Sequence, residues 1–146
     1  MNKILSYRGL LEHAGQDTIL LSTKQGEKGY RIRKFQTITA EPGTSSSELV
    51  TQIWSVEQTT ISSPTTIDFS NQQLLGIAYN ALSANLQGYQ NILFGNTIFN
   101  QDIYITNVDN LSGGNDSVNY YLELEVIPLN EMEATVATLK DIRNNA

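Results

Sequence analysis

The sequence predicts a single, mainly β domain: an antiparallel β-sandwich spanning residues 1–146, with one or two short helices. Three observations carry this prediction. Val118, Tyr120, Leu122, Leu124 and Val126 alternate with Asn119, Tyr121, Glu123 and Glu125, and a period of two gives a strand one buried and one wet face. Short β-branched and aromatic runs recur along the chain, separated by polar connections rich in Gly, Pro, Ser, Thr and Asn. The 146 residues suffice for one core, and no stretch approaches the ~20 apolar residues of a membrane-spanning helix.

Taken in order, residues 3–11 read as a short strand or as an arm that packs on a neighbour, with Gly9 arguing against a helix. Residues 12–17 form a turn, and 18–23 (TILLST) a strand. The two-glycine turn at 24–29 leads into residues 30–40, where Tyr30, Ile32 and Ile38 share one parity and Arg31, Arg33 and Phe35 the other. That broken alternation predicts a bulge near Lys34. Residues 49–57 are a strand with Val50, Trp54 and Val56 toward the core, and 58–66 a connection leading to a short apolar piece at 67–69. Ser70 and Gln73 have capping-box spacing, and Leu74, Leu75, Ala78 and Leu82 share a helical face, so 71–82 reads as a helix interrupted by Gly76. Residues 85–91 read as a loop, and Gly95–Asn96 as a tight turn. Residues 102–108 and 118–126 read as the arms of one long hairpin. After Pro128, Asn130 caps a second helix over 130–143, with Glu131 and Glu133 near its start, Lys140 and Arg143 near its end, and an apolar stripe through Met132, Val136 and Leu139. A jelly roll is one topology that fits this strand count.

Charge is unevenly placed. Seven of the nine basic residues fall within the first 34 positions: Lys3, Arg8, Lys24, Lys28, Arg31, Arg33 and Lys34. Residues 35–139 carry eleven acidic groups and no basic one, and the net charge is −6. An acidic body repels phosphate, which disfavours direct nucleic-acid binding. The split suits contact with an acidic partner or head-to-tail self-association, with Lys3, Arg8, Arg31 and Arg33 as the candidate partner-binding residues. The competing reading is mutual neutralisation within one fold. The N-terminus has no run suited to a signal peptide, so the expected setting is the cytoplasm of the producing cell, including a particle assembled there.

No catalytic, cofactor or metal motif emerges. The absence of cysteine excludes disulfides and thiolate sites, and His13 is the sole histidine. Glu123 and Glu125 share a strand face about 7 Å apart, a spacing that also occurs in glycosidase pairs, yet exposed carboxylates on a strand are far more often a solvated face. The oxygen-rich loop at 109–117 suggests calcium, but the twelfth position from Asp109 is Tyr120 where an EF-hand has glutamate, and Gly113-Gly114-Asn115-Asp116 occurs once where calcium-binding β-rolls repeat. Residues 26–29 lack phosphate-loop spacing. Tyr120 and Tyr121, with Trp54 and Tyr104, are candidates for a sugar-stacking platform, against the commoner reading of core and edge packing.

The segments NQDIYITNVDN, VNYYLELEVIPLNEMEATVATLKDIRNN and LLSTKQGEKGYRIRKFQ resemble small proteins encoded beside the structural genes of marine bacteriophages. That family offers no functional motif to carry over. The resemblance implies a non-enzymatic virion structural protein, a capsid decoration or minor capsid protein that binds the major capsid protein or other virion proteins and is a homo-oligomer. A tail-associated protein and a carbohydrate-binding module for host recognition are the alternatives. Ser, Thr, Asn and Gln make up about a third of the chain, a composition suited to hydrogen-bonded, wet interfaces.

Overall fold

The alternating stretch predicted from sequence becomes the middle strand of a three-stranded sheet. The computed structural model describes residues 3–21, 28–43, 46–83 and 87–129. Its strands are β1 (Ile4–Leu11), β2 (Gly15–Ile19), β3 (Lys28–Thr39), β4 (Ser47–Trp54), β5 (Leu74–Leu82), β6 (Gln87–Leu93), β7 (Ile103–Asp109) and β8 (Val118–Pro128). One sheet has the order β1-β8-β3 and the other β2-β7-β4-β5-β6, with every pair antiparallel. The protein is therefore mainly β, built on two antiparallel sheets.

Both sheets turn apolar side chains into one cluster. Phe35, Val118, Leu122 and Leu124 come from the first, and Leu49, Ile53, Ile103 and Ile105 from the second. All eight are fully buried, and burying a side chain of this kind contributes about 1.5–3 kcal/mol.

The expected hairpin between residues 102–108 and 118–126 is not formed. β7 lies in one sheet and β8 in the other, so 110–117 is a crossover between sheets. The alternation itself was legible. Two strands that each bury one face satisfy it equally well when they face one another across a core as when they pair side by side.

The helix read at 71–82 is also corrected. Leu74–Leu82 is strand β5, paired with both β4 and β6. The capping signal serves a turn: the Ser70 hydroxyl donates to Asp68 Oδ1 (2.6 Å), and Asn71 Oδ1 accepts from the Gln73 N–H (2.9 Å). β5 is buried on both faces along its first half, and a continuous apolar run of that kind mimics a helical stripe. Residues 87–93 likewise form edge strand β6 where a loop was expected. The second expected helix, 130–143, lies outside the described residues.

The predicted bulge is present. The register between β3 and β8 slips between Ile32 and Lys34, leaving Arg33 as the extra residue. This explains the broken alternation: Tyr30 and Ile32 before it, and Phe35 after it, all face the core, while Ile38 faces solvent. On β4 the inward positions are Leu49 and Ile53, and Val50 and Trp54 lie on the opposite face.

The edge of β3 is closed mainly by side chains. Asn91 Nδ2 donates to the Phe35 carbonyl (2.7 Å) and Asn80 Nδ2 to the Thr37 carbonyl (3.3 Å), while Tyr30 and Phe99 exchange two backbone hydrogen bonds. These groups occupy positions that a neighbouring strand would otherwise template.

Candidate functional site

The outer face of the β1-β8-β3 sheet is open. Cross-strand register sets three rows on it: Arg8–Tyr121–Gln36, Leu10–Asn119–Ile38 and Ser6–Glu123–Lys34. Leu10 is 62% exposed and Ile38 64%, with Ile4 and Tyr121 also exposed on this face. Between the strands lies a shallow concavity of about 470 Å³ bordered by Arg8, Gln36, Ile38, Asn119 and Tyr121.

The tyrosines at its floor have different roles. Tyr121 points outward, and its hydroxyl donates to Glu123 Oε2 at 2.6 Å. That bond to a carboxylate pushes its pKa above the usual tyrosine value. Tyr120 points into the core and donates to Asp17 Oδ2 (2.7 Å), and burial, then that bond, raise its pKa strongly. Its ring lies so close under Gly9 that a Cβ there would sit 2.8 Å from the hydroxyl, which is why β1 carries a glycine in mid-strand.

Of the four basic candidates, Arg8, Arg31 and Arg33 lie on strands of this sheet and Lys3 immediately precedes it, and they do not converge. Arg8 borders the concavity. Arg31 Nε and Arg33 Nη1 both donate to Glu125 Oε1, at 2.9 and 3.0 Å, and Arg33 is itself the bulged residue of β3. Lys3 is exposed just before β1, and its carbonyl accepts the Val126 N–H. Part of the basic N-terminal section is thus neutralised within the fold.

Several other sequence candidates acquire definite structural places. Glu125 is only 6% exposed and ion-paired, so it does not form an open carboxylate pair with Glu123. Trp54 and Tyr104 pair across β4 and β7, in the other sheet from Tyr121, so the candidate four-residue aromatic platform is not assembled. His13 Nδ1 accepts the Asp109 backbone N–H (3.0 Å). Asp109, fully buried, accepts the N–H groups of Glu48 and Leu111 on Oδ1 and of Asp116 on Oδ2, which organises the oxygen-rich 109–117 loop. Among the described residues no group of three or more His, Asp or Glu side chains is placed to hold a metal ion.

Sequence reasoning missed a second feature. The 55–73 connection crosses the outer face of the five-stranded sheet and is pinned at two points by amide side chains that copy a β-bridge. Gln16 donates to the Gln58 carbonyl (3.1 Å) and accepts its N–H (2.9 Å). Asn110 donates to the Thr65 carbonyl (3.2 Å) and accepts its N–H (2.8 Å). Nothing in local spacing signals partners 42 and 45 positions apart. No protein-family model matches the chain, and no curated protein or solved structure is significantly similar to it.

Proposed function

We propose that this chain is a non-enzymatic structural protein of a bacteriophage particle, a capsid decoration or minor capsid protein that binds the shell through the outer face of the β1-β8-β3 sheet. The observation that carries this reading is the open face itself. Leu10, Ile38, Ile4 and Tyr121 are exposed together, with Arg8 beside them. Aromatic and arginine side chains among aliphatic ones are the mixture enriched at protein interfaces. The strand order supports a jelly-roll reading of the fold: β1 pairs β8, β2 pairs β7 and β4 pairs β5 in nested fashion, with β6 bonded to β5 rather than to β3. Capsid and lectin domains both use that architecture. The resemblance to proteins encoded beside phage structural genes selects the capsid role.

Purified particles of the encoding phage should contain the protein by mass spectrometry. The variant Leu10→Asp/Ile38→Asp should keep its circular dichroism spectrum, because both side chains are solvated, and should fail to incorporate. Absence of the wild-type protein from particles, or full incorporation of the double variant, refutes the proposal.

A further inference from the structure

Among the described residues, one long strand edge has no neighbour. At one end of the two sheets β3 and β6 close on each other: Asn91 of β6 donates to the Phe35 carbonyl, and β3 is also bulged at Arg33. At the other end lie β2, only five residues long, and β1, which runs for eight in unbroken register with β8. β1 has neither proline nor bulge, two devices that keep an edge from pairing. The Val126 N–H donates to the Lys3 carbonyl, so alternate residues from Lys3 onward turn their backbone groups toward β8. The backbone N–H and C=O groups of Ile4, Ser6, Arg8 and Leu10 point the other way, and among the described residues none of them is bonded.

We infer that β1 pairs antiparallel with β1 of a second copy about a two-fold axis at Tyr7, joining two β1-β8-β3 sheets into one continuous sheet. The side chains select that register. With the axis at Tyr7, the outward backbone groups of Ile4 meet those of the partner's Leu10, and those of Ser6 meet the partner's Arg8. Ile4 and Leu10 are both exposed in the single copy, and this pairing covers them against each other at both ends of the new ladder. Arg8 lies opposite the partner's Ser6, whose neighbour within its own sheet is Glu123. Two strand spacings, about 10 Å, separate those backbones, and the short serine between them lets the guanidinium cross to the carboxylate. An axis at Arg8 would set two arginines against each other. An axis at Ser6 would set Arg8 against Ile4 and leave Leu10 beyond the paired strand. The outer face of the sheet stays open in this dimer, so the interface does not depend on the capsid proposal.

Sedimentation equilibrium of the full chain should give about twice the 16.2 kDa of one chain. In the wild-type dimer, hydrogen exchange should be slow at the amides of Ile4, Ser6, Arg8 and Leu10, which a lone copy leaves open to water. Ser6→Pro removes one outward N–H without touching the bonds to β8, so it should keep its circular dichroism spectrum and raise the dimer dissociation constant at least about tenfold. Arg8→Glu and Glu123→Arg should each weaken the dimer, and an equimolar mixture of the two should restore it, because opposite charges then meet at both contacts. Ile38→Asp, on the open face but two strands from this edge, should dimerise as wild type, which separates this interface from the docking face that shares Leu10. A mass of one chain at every concentration overturns the inference. Dimers with fast exchange at those four amides, undiminished dimerisation by folded Ser6→Pro, or a mixture no tighter than either charge variant place the interface elsewhere and overturn it as well.

Discussion

Replacing Asp109 by alanine should be among the most damaging single changes in this chain. The carboxylate is fully buried and accepts three backbone N–H groups, from Glu48 (3.0 Å), Leu111 (3.1 Å) and Asp116 (3.1 Å). It ties the start of β4 to both ends of the crossover between β7 and β8. A hydrogen bond to a charged group contributes about 1.5–3 kcal/mol net. Leu111 and Asp116 are half-exposed, so water can partly replace the lost acceptor there, and the three contributions are not additive. The expected loss is about 3–5 kcal/mol, a large fraction of the ~5–15 kcal/mol that keeps a domain folded. Asp109→Asn should cost about 1–3 kcal/mol: its oxygen can still serve Glu48 and Leu111, while its NH₂ would face the Asp116 N–H.

Urea unfolding followed by Trp54 fluorescence and by circular dichroism gives both values. Gly114→Ala supplies an internal control, because its Cβ would meet the Asp109 carboxylate at 2.5 Å. That clash should cost about 1–3 kcal/mol in the wild type and disappear in the Asp109→Ala background, a strongly non-additive cycle. An Asp109→Ala variant within ~0.5 kcal/mol of wild type, or an additive cycle, would refute the reasoning.

Further outcomes follow from the same geometry. Glu125→Gln should destabilise by about 1–2 kcal/mol in urea melts; the buried carboxylate faces two guanidinium groups that are 38% and 54% exposed and therefore screened. For Tyr120 the folded-state pKa lies above the ordinary value of 10.0, so the unfolded chain releases that proton first. Its stabilising effect is complete below that value and declines as pH rises through it, so alkaline unfolding should shift when Tyr120→Phe is compared with wild type. Gln16→Ala should accelerate amide hydrogen exchange at Gln58, with little change in thermal midpoint, because it loosens one clamp of the strap without touching the core.

The sequence made individual strand faces legible, but sheet membership was not. The β8 alternation identified its core face through Val118, Leu122 and Leu124, and the broken parity around Lys34 located the bulge to within a residue. Both signals are local, set by which side chains point the same way along a strand. The β7–β8 crossover was misread because alternation does not reveal which strand is the neighbour. β5 was misread because its first half is buried on both faces, so its apolar residues follow neither parity. The site was legible in part: Tyr121 and Arg8 were singled out from their positions and do share the open face. The Gln16 and Asn110 clamps carried no signal, since an amide side chain gives no indication in sequence of a partner more than forty positions away.

The fate of the charge split shows which surface remains for a partner. Of the seven basic residues that open the chain, Arg31 and Arg33 are held on Glu125, a buried carboxylate contributed by the centre strand of their own sheet. They would leave that carboxylate uncompensated if they turned outward to a partner, and uncovering a buried charge costs more than an exposed ion pair returns. Among the described residues Arg8 has no such constraint from a buried partner: it sits beside Tyr121 at the mouth of the concavity. Under the proposed capsid role, recognition by this face would rest on the aliphatic and aromatic side chains, with Arg8 setting orientation. The charge reversals Arg31→Glu and Arg33→Glu would act first on the fold, because each places a second carboxylate against Glu125. A variant that keeps those two arginines and changes Leu10 and Ile38 is the one that separates assembly from stability.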